Sequence, residues 1–388
     1  MNISRYELMP GVWVTHAARK GDSACLSFNI LAQTDRDTAA VNALVPYVLR
    51  CGTANDTSYD ALSAKLASIG ASAKPTVRRV GEIQCLGMVM TLPAANSAAA
   101  AELLGRILLS PATRGGLLLP GNVEAEREKM AERLAATEEY SPDYALRRCL
   151  EHTCCYEDYC ISPLGDEDSV RGVHYQKLTK QYRVLLQSAP VEIFYCGDQS
   201  VNAVRMALKD AFMTFPRGEV DYELGTDVRM NAVEEEPRRI AEELAGAEKE
   251  CLLAFRLGEC MMEPDPAALT VFAGLFEGTR LMDIHKGLWV VACENEDDVL
   301  AGLRAISEGR LEVEKLEKAR AAAADALRAC MDDVEAIEDF SLGQTVDGYD
   351  FGPDELAALC EDADSSDMAE IAKSVECDVI YTLAPEGE

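Results

Sequence analysis

The chain has 388 residues, 48% of them hydrophobic and 27% charged, which is the composition of a globular protein too long for one ordinary core. Its formal charge of −30 at pH 7 argues against nucleic acid and against an anionic membrane surface as partners. No apolar run reaches the roughly 18 to 20 residues needed to span a bilayer, so no membrane attachment is expected. The N-terminal stretch MNISRYELMPGVWVTH lacks the basic segment and apolar core of a secretory signal. The 14 scattered cysteines read as reduced, mostly buried thiols. The expected location is the cytoplasm.

In chain order, residues 11–15 are strand-like. After the polar turn Lys20-Gly21-Asp22, the run 24–31 alternates Cys25, Ser27 and Asn29 with Leu26, Phe28 and Ile30, a period of two that predicts a strand. A helix is predicted next, capped at Asp37 or Thr38, carrying Ala39, Ala40, Leu44 and Val48 at helical spacing and closed by Gly52. Residues 59–69 form a second helix with Leu62, Leu66 and Ile69 on one stripe, stopped at Gly70. Residues 71–80 and 82–92 read as paired strands and 98–109 as an amphipathic helix. A charged helix starting at Glu124 is predicted to continue past Tyr144 towards Leu150. A further helix covers 170–186, a buried strand 191–197 and a helix 201–212.

Pro216, Gly218 and Gly225, with little periodicity around them, mark residues 216–236 as a linker. The predicted domains are therefore 1–215 and 237–388. Beyond the linker, strands are expected at 250–258, 288–293 and 378–383, and helices at 265–276, 299–306, 313–331 and 368–375. Strands mixed with helices in this way predict α+β layers.

The two halves resemble each other. ALVPYVLRCGT at 43–53 lines up with ALTVFAGLFEGT at 268–279 if one extra residue is allowed, and each follows an apolar strand and precedes a long charged helix. Glu126 lies 74 residues beyond Gly52, whereas Glu314 lies 36 beyond Gly278. The second half is thus predicted to be shorter by a helix and one or two strands.

Residues 43–53 also resemble the H-x-x-E-H-x-x-x-x-G-T helix of the insulinase-like zinc peptidases (pitrilysin and mitochondrial-processing-peptidase-like). The resemblance continues through 59–73, Glu126-Arg127-Glu128-Lys129 and Ile161-Ser-Pro-Leu-Gly165. In the second half it takes in Phe255-Arg256-Leu257-Gly258 and 271–276. It covers nearly the whole chain in the two-domain bacterial form, and is nearest a branch without the metal motif. It implies two homologous α+β domains of the processing-peptidase-like metallohydrolase fold, each a mostly antiparallel sheet backed by helices, the second shortened, closing over an extended peptide.

In active members both motif histidines and a Glu on the later charged helix bind zinc, and the motif Glu is the general base. Here Ala43 and Tyr47 stand in the histidine positions and Pro46 in that of the base. The third ligand position falls between Glu124 and Ala135, with its register open. Active members also use an Arg and a Tyr in the second half. Residues 279–291 align either with that region, placing His285 and Val290 near the required positions, or with the strand after it; both alignments lose the pair. Pro46 should also break one helical hydrogen bond, to the Asn42 carbonyl, and kink the helix. The edge strand that pairs with substrate in the family corresponds to 71–80, where Pro75 removes a donor.

No catalytic residue, metal ligand or cofactor is therefore expected. The one dense ligand-type cluster, Cys149, His152, Cys154, Cys155 and Cys160, matches no zinc spacing and reads as tolerated thiols. The expected function is that of an inactive peptidase homologue, a pseudoenzyme. It would pair with an active zinc-peptidase relative in a heterodimer and help enclose a peptide. The alternatives are a self-associating peptide-binding homodimer without catalysis and, ranked last, a hydrolase with relocated metal ligands.

Overall fold

The computed structural model describes every residue except Glu138, Thr214, Pro216, Asp347 and Glu388, and the side chain of Asn2. Strands β1 (Asn2–Met9), β2 (Val12–Ala18) and β3 (Ser23–Gln33) lead to helices α1 (Ala39–Leu49) and α2 (Tyr59–Ser68). The hairpin β4 (Ser72–Val80) and β5 (Ile83–Pro93) and helix α3 (Ser97–Leu109) follow. Two short strands, β6 (Thr113–Arg114) and β7 (Leu117–Leu118), precede α4 (Pro120–Ala136), α5 (Tyr144–Thr153), α6 (Glu167–Arg171), α7 (Tyr175–Ser188), β8 (Val191–Gly197) and α8 (Val201–Phe212). The second half contains β9 (Arg238–Leu244), β10 (Glu250–Arg256), α9 (Pro266–Gly274), β11 (Thr279–Asp283) and β12 (Leu288–Cys293). It closes with α10 (Glu296–Ser307), α11 (Val313–Cys330), α12 (Val334–Val346), α13 (Pro353–Asp362), α14 (Ser365–Ser374) and β13 (Glu376–Pro385). Among the described residues no helix is long and apolar enough to cross a membrane.

The chain divides into two compact units. The first comprises Met1–Ala135, Ile161–Gly225 and Met331–Gly352, and the second Ala136–Cys160, Thr226–Cys330 and Pro353–Glu388. The first unit's sheet has the order β1-β2-β8-β3-β5-β4 and the second's β11-β12-β10-β13-β9. In both, the neighbours pair antiparallel except for one parallel pair, β2 with β8 and β9 with β13. Reading β4-β5-β3-β8-β2 against β11-β12-β10-β13-β9 gives the same order and the same pairing senses. The weak repeat of the sequence is a repeat of topology.

The same comparison identifies the elements behind the expected deficit of the second half. Between α1 and α4 the first half has α2, the β4–β5 hairpin, α3 and the short β6–β7 pair. Between α9 and α11 the second half has β11, β12 and α10. What is missing is α2 and the short pair, with the hairpin cut from strands of 9 and 11 residues to strands of 5 and 6.

Other expectations change. The charged helix from Glu124 does not reach Leu150: α4 ends at Ala136 and α5 begins at Tyr144. Pro142 keeps Ser141 out of the helical region, and the Tyr144 N–H turns back to the Ser141 carbonyl at 2.9 Å. The helix expected over 170–186 is two helices separated at Gly172, and the His174 side chain caps the second by accepting from the Lys177 N–H at 3.2 Å. Strands β1 and β9 and helices α12 and α13 were not legible. β1 and β9 are half-exposed sheet edges without an apolar run, and α12 mixes Gly343 and Thr345 into a weak period. Of the expected linker, residues up to Gly225 belong to the first unit and those from Thr226 to the second; Pro216 lies outside the described residues.

The alternation read in β3 has an unexpected meaning. Leu26, Phe28 and Ile30 enter the main core with Leu44, Leu104 and Leu185. The opposite face is just as buried: Ser27 and Asn29 are 0% and 1% exposed. They lie under α12, whose Glu338 accepts from Ser27 Oγ at 2.7 Å and Asn29 Nδ2 at 3.0 Å. Arg78 of β4 completes the cluster, donating to both Glu338 oxygens at 2.6 and 2.8 Å. The second unit repeats the arrangement. Leu252 and Ala254 of β10 share a core with Tyr144, Ala145 and Cys149 of α5. On the other face Phe255 stacks on Trp289 at 4.6 Å, and Phe272 of α9 meets the same indole edge-on. Buried Arg256, back on the α5 face, donates to the Thr153 carbonyl at 2.8 Å and binds Asp378 Oδ2 at 2.9 Å and Glu157 Oε1 at 2.6 Å.

Removing a buried partner from such a cluster strands the charge that remains. Glu338→Ala should therefore destabilise the first unit by on the order of 3 kcal/mol, read as a lower urea midpoint; an unchanged midpoint would show that the pair does not anchor α12.

Candidate functional site

Helix α1 starts where Thr38 takes the N-cap position without a side-chain cap bond. Asp35 does the capping instead, its carbonyl accepting from the Ala39 N–H at 2.8 Å and its carboxylate from the Asp37 N–H at 2.9 Å. The helix runs unbroken to Leu49 with Pro46 inside it, and the Arg50 N–H reaches the Pro46 carbonyl at 3.1 Å. Pro46 costs one helical bond without ending the helix. The closing turn depends on Gly52, which has φ +152°; a Cβ there would lie 2.8 Å from the Asp56 carbonyl oxygen. Thr53 then accepts from the Asp56 N–H at 3.0 Å, which fixes the turn.

The three slots of α1 are chemically quiet. Ala43 and Pro46 are buried, and Tyr47 is half-buried. The Tyr47 hydroxyl accepts from Arg133 Nη1 of α4 at 2.9 Å, and the same guanidinium lies 5.2 Å from its ring centroid. Just past the end of α1, the Cys51 thiol faces Glu126 Oε1 at 3.7 Å, which Lys129 holds at 2.7 Å. Burial, then the Glu126 carboxylate, push the Cys51 thiol up to about 12. Within 124–135, then, the side chain that meets the Tyr47 slot is Arg133, which the sequence did not single out.

Zinc requires three or four N, O or S donors at about 2.0–2.3 Å. Ala43 and Pro46 offer none, and the phenol of Tyr47 is engaged by the Arg133 guanidinium. The residues present do not fit the metal. Among the described residues no three His, Cys, Asp or Glu side chains stand together as a metal-binding group.

Behind α1, Asn42 donates to Gln84 Oε1 at 3.0 Å and accepts from Gln181 at 2.8 Å, while Gln84 also holds the Pro163 carbonyl at 2.5 Å. This amide chain ties the Ile161–Gly165 loop to the helix. Gly165, at φ +76°, sits where a Cβ would be 2.6 Å from that of Ala40.

In the second unit, residues 279–291 form β11 and most of β12, so the strand alignment is the one the geometry matches. Only 275–278 separate α9 from β11. Val290 is fully buried in the core beneath α5, and His285 lies in the turn between the strands.

The Cys149–Cys160 group is dispersed. Cys149 and Cys154 are buried, Cys155 is exposed, and burial pushes the Cys149 thiol up to about 12. His152 is already held by Glu242 Oε1 at 2.8 Å. Glu242 also accepts from Arg148 Nη2 at 2.5 Å and from the Tyr381 hydroxyl at 2.8 Å.

No protein-family model and no curated protein matches the sequence. Solved structures do. A conserved protein from Enterococcus faecalis V583 is 19% identical with a TM-score of 0.84, each chain covered over 100% of its length. A protease from Helicobacter pylori is 14% identical with a TM-score of 0.80, covering 99% of this chain and 100% of that one. A peptidase M16 inactive domain from Pseudomonas fluorescens is 12% identical with a TM-score of 0.76, covering 99% and 98%. The fold is that of the M16 peptidases. This is the insulinase-like architecture anticipated from the α1 motif. The M16 fold is shared by a protease and by an inactive domain, so activity has to be argued from residues.

The Glu242 cluster makes a pH prediction. Hydrogen bonds from Arg148, then from His152 and Tyr381, pull the Glu242 carboxyl down to about 2, against about 4.3 in an unfolded chain. A depressed carboxyl contributes stability above the unfolded value and loses it as pH falls through the folded one. The gap in unfolding midpoint between wild type and Glu242→Gln should be constant above about pH 5 and close between pH 4.3 and 2. A gap independent of pH would refute this.

Proposed function

We propose that this chain is a catalytically inactive M16-fold subunit that acts by binding. It would pair with an active zinc-peptidase relative and help enclose a peptide. One observation carries the reading: Ala43, Pro46 and Tyr47 fill the three chemical slots of α1, and Arg133 meets the last of them. No group there can hold zinc or activate a water. The short connection between α9 and β11 supports the same reading, since it leaves no segment for the Arg and Tyr that active members use in this half. The duplicated halves 1–215 and 237–388, joined by 216–236, are the two domains in this reading. Each compact unit then includes a segment from the other half. A cytoplasmic setting fits fourteen scattered cysteines of which only Cys155 is exposed.

The test is co-expression of the chain with an M16 relative from the same genome that retains H-x-x-E-H. Mass photometry should show a heterodimer, and peptide hydrolysis should require the relative's intact motif. Hydrolysis by this chain alone, abolished by a zinc chelator, would overturn the assignment. A stable homodimer indifferent to the relative would instead favour a self-associating binding module.

A further inference from the structure

The β4 strand forms one edge of the first unit's sheet. An edge strand presents unpaired N–H and C=O groups to any extended chain that approaches. Which residues present them follows from the ladder. The Glu82 carbonyl and the Ala94 N–H bond to Thr34 and Asp22, on the β3 side. Even-numbered residues of β5 therefore hydrogen-bond towards β3, and odd-numbered residues towards β4. Their partners are Ser72, Lys74, Thr76, Arg78 and Val80. Ala73, Pro75, Val77 and Arg79 are left facing outward.

Two successive rungs of that outward ladder are disabled. The Ala73 carbonyl already accepts from Arg50 Nε at 3.0 Å. Arg50 is held in place: Nη2 donates to Ser63 Oγ at 3.0 Å, and the guanidinium lies 4.5 Å from the Tyr59 ring centroid. Its side chain stands in the lane an added strand would occupy. At the next outward position Pro75 has no N–H, and its ring carbons project where the hydrogen would point. What remains of the strand beyond Pro75 is too short for a stable two-stranded pairing.

We infer that Arg50 and Pro75 close the β4 edge to strand addition, so that an extended peptide or a second copy of the chain cannot pair there. This rests on the subunit reading above and sharpens it: the peptide of such a pair is gripped by the partner's strand, and this chain supplies the enclosing wall.

The experiment uses the full chain and a ten-residue, fluorescein-labelled peptide of alternating Thr and Val, followed by anisotropy. Wild type should not bind. Pro75→Val alone should bind weakly, and Arg50→Met with Pro75→Val should bind roughly tenfold or more tighter than the single variant. The amide proton of Val77 should then become protected from exchange. Circular dichroism identifies a variant that has lost its fold, and Pro75→Val, which alters a half-buried position on the sheet edge, carries the test if Arg50→Met does not fold. Binding by wild type with protection of β4, or folded variants that bind no better than wild type, would overturn the inference. Both results are independent of hydrolysis, so a closed edge on an active chain, or an open edge on an inactive one, would show which of the two readings had failed.

Discussion

The buried pairing of a carboxylate on a late helix with an arginine on an early strand holds the first unit together. Glu338 and Arg78 are 260 residues apart in sequence. Between them Ser27 and Asn29 can point polar atoms into a closed interior, because Glu338 accepts from both. A buried ion pair with this many hydrogen bonds contributes specificity more than raw stability: it admits α12 in one register on one face. The second unit applies the same rule with Arg256, Glu157 and Asp378. In each unit a sheet from one half of the chain is completed by a segment from the other, so neither half can finish its core alone.

This requirement places α1 without any demand on the chemistry of its slots. The helix is positioned by its apolar face, by the tight turn at Gly52 and by the Asn42–Gln84–Gln181 amide chain. None of these needs the slots at 43, 46 and 47. Ala43 and Pro46 add buried apolar surface, and Tyr47 finds a hydrogen bond and a cation–π contact in Arg133. In the proposed reading α1 serves as a packing element, with a guanidinium beside the slot at Tyr47.

How much of this was legible in the sequence depended on how local the signal was. The α1–α2 pair, the β4–β5 hairpin and the buried strand β8 follow from periodicity and turn residues within a few positions. The repeat was visible as two short matches, and the sheet orders turned them into a common topology. What could not be read is the long-range part. The Ser27 and Asn29 face looks like a solvent face until α12 is laid over it, and α12 has too weak a period to announce itself. The break between α4 and α5 hinged on Pro142, a signal present in the sequence and outweighed by a run of charged residues. Arg133 and Arg50 carry no local signal because their partners, Tyr47 and the Ala73 carbonyl, lie on other elements.

The central claim is that α1 and α4 no longer form a metal site. Zinc titration of the full-length, metal-stripped chain, followed by elemental analysis after gel filtration, tests it directly. The account predicts no saturable tight binding and well below one zinc per chain. One zinc retained per chain, and lost when a residue of α1 or α4 is replaced, would contradict it.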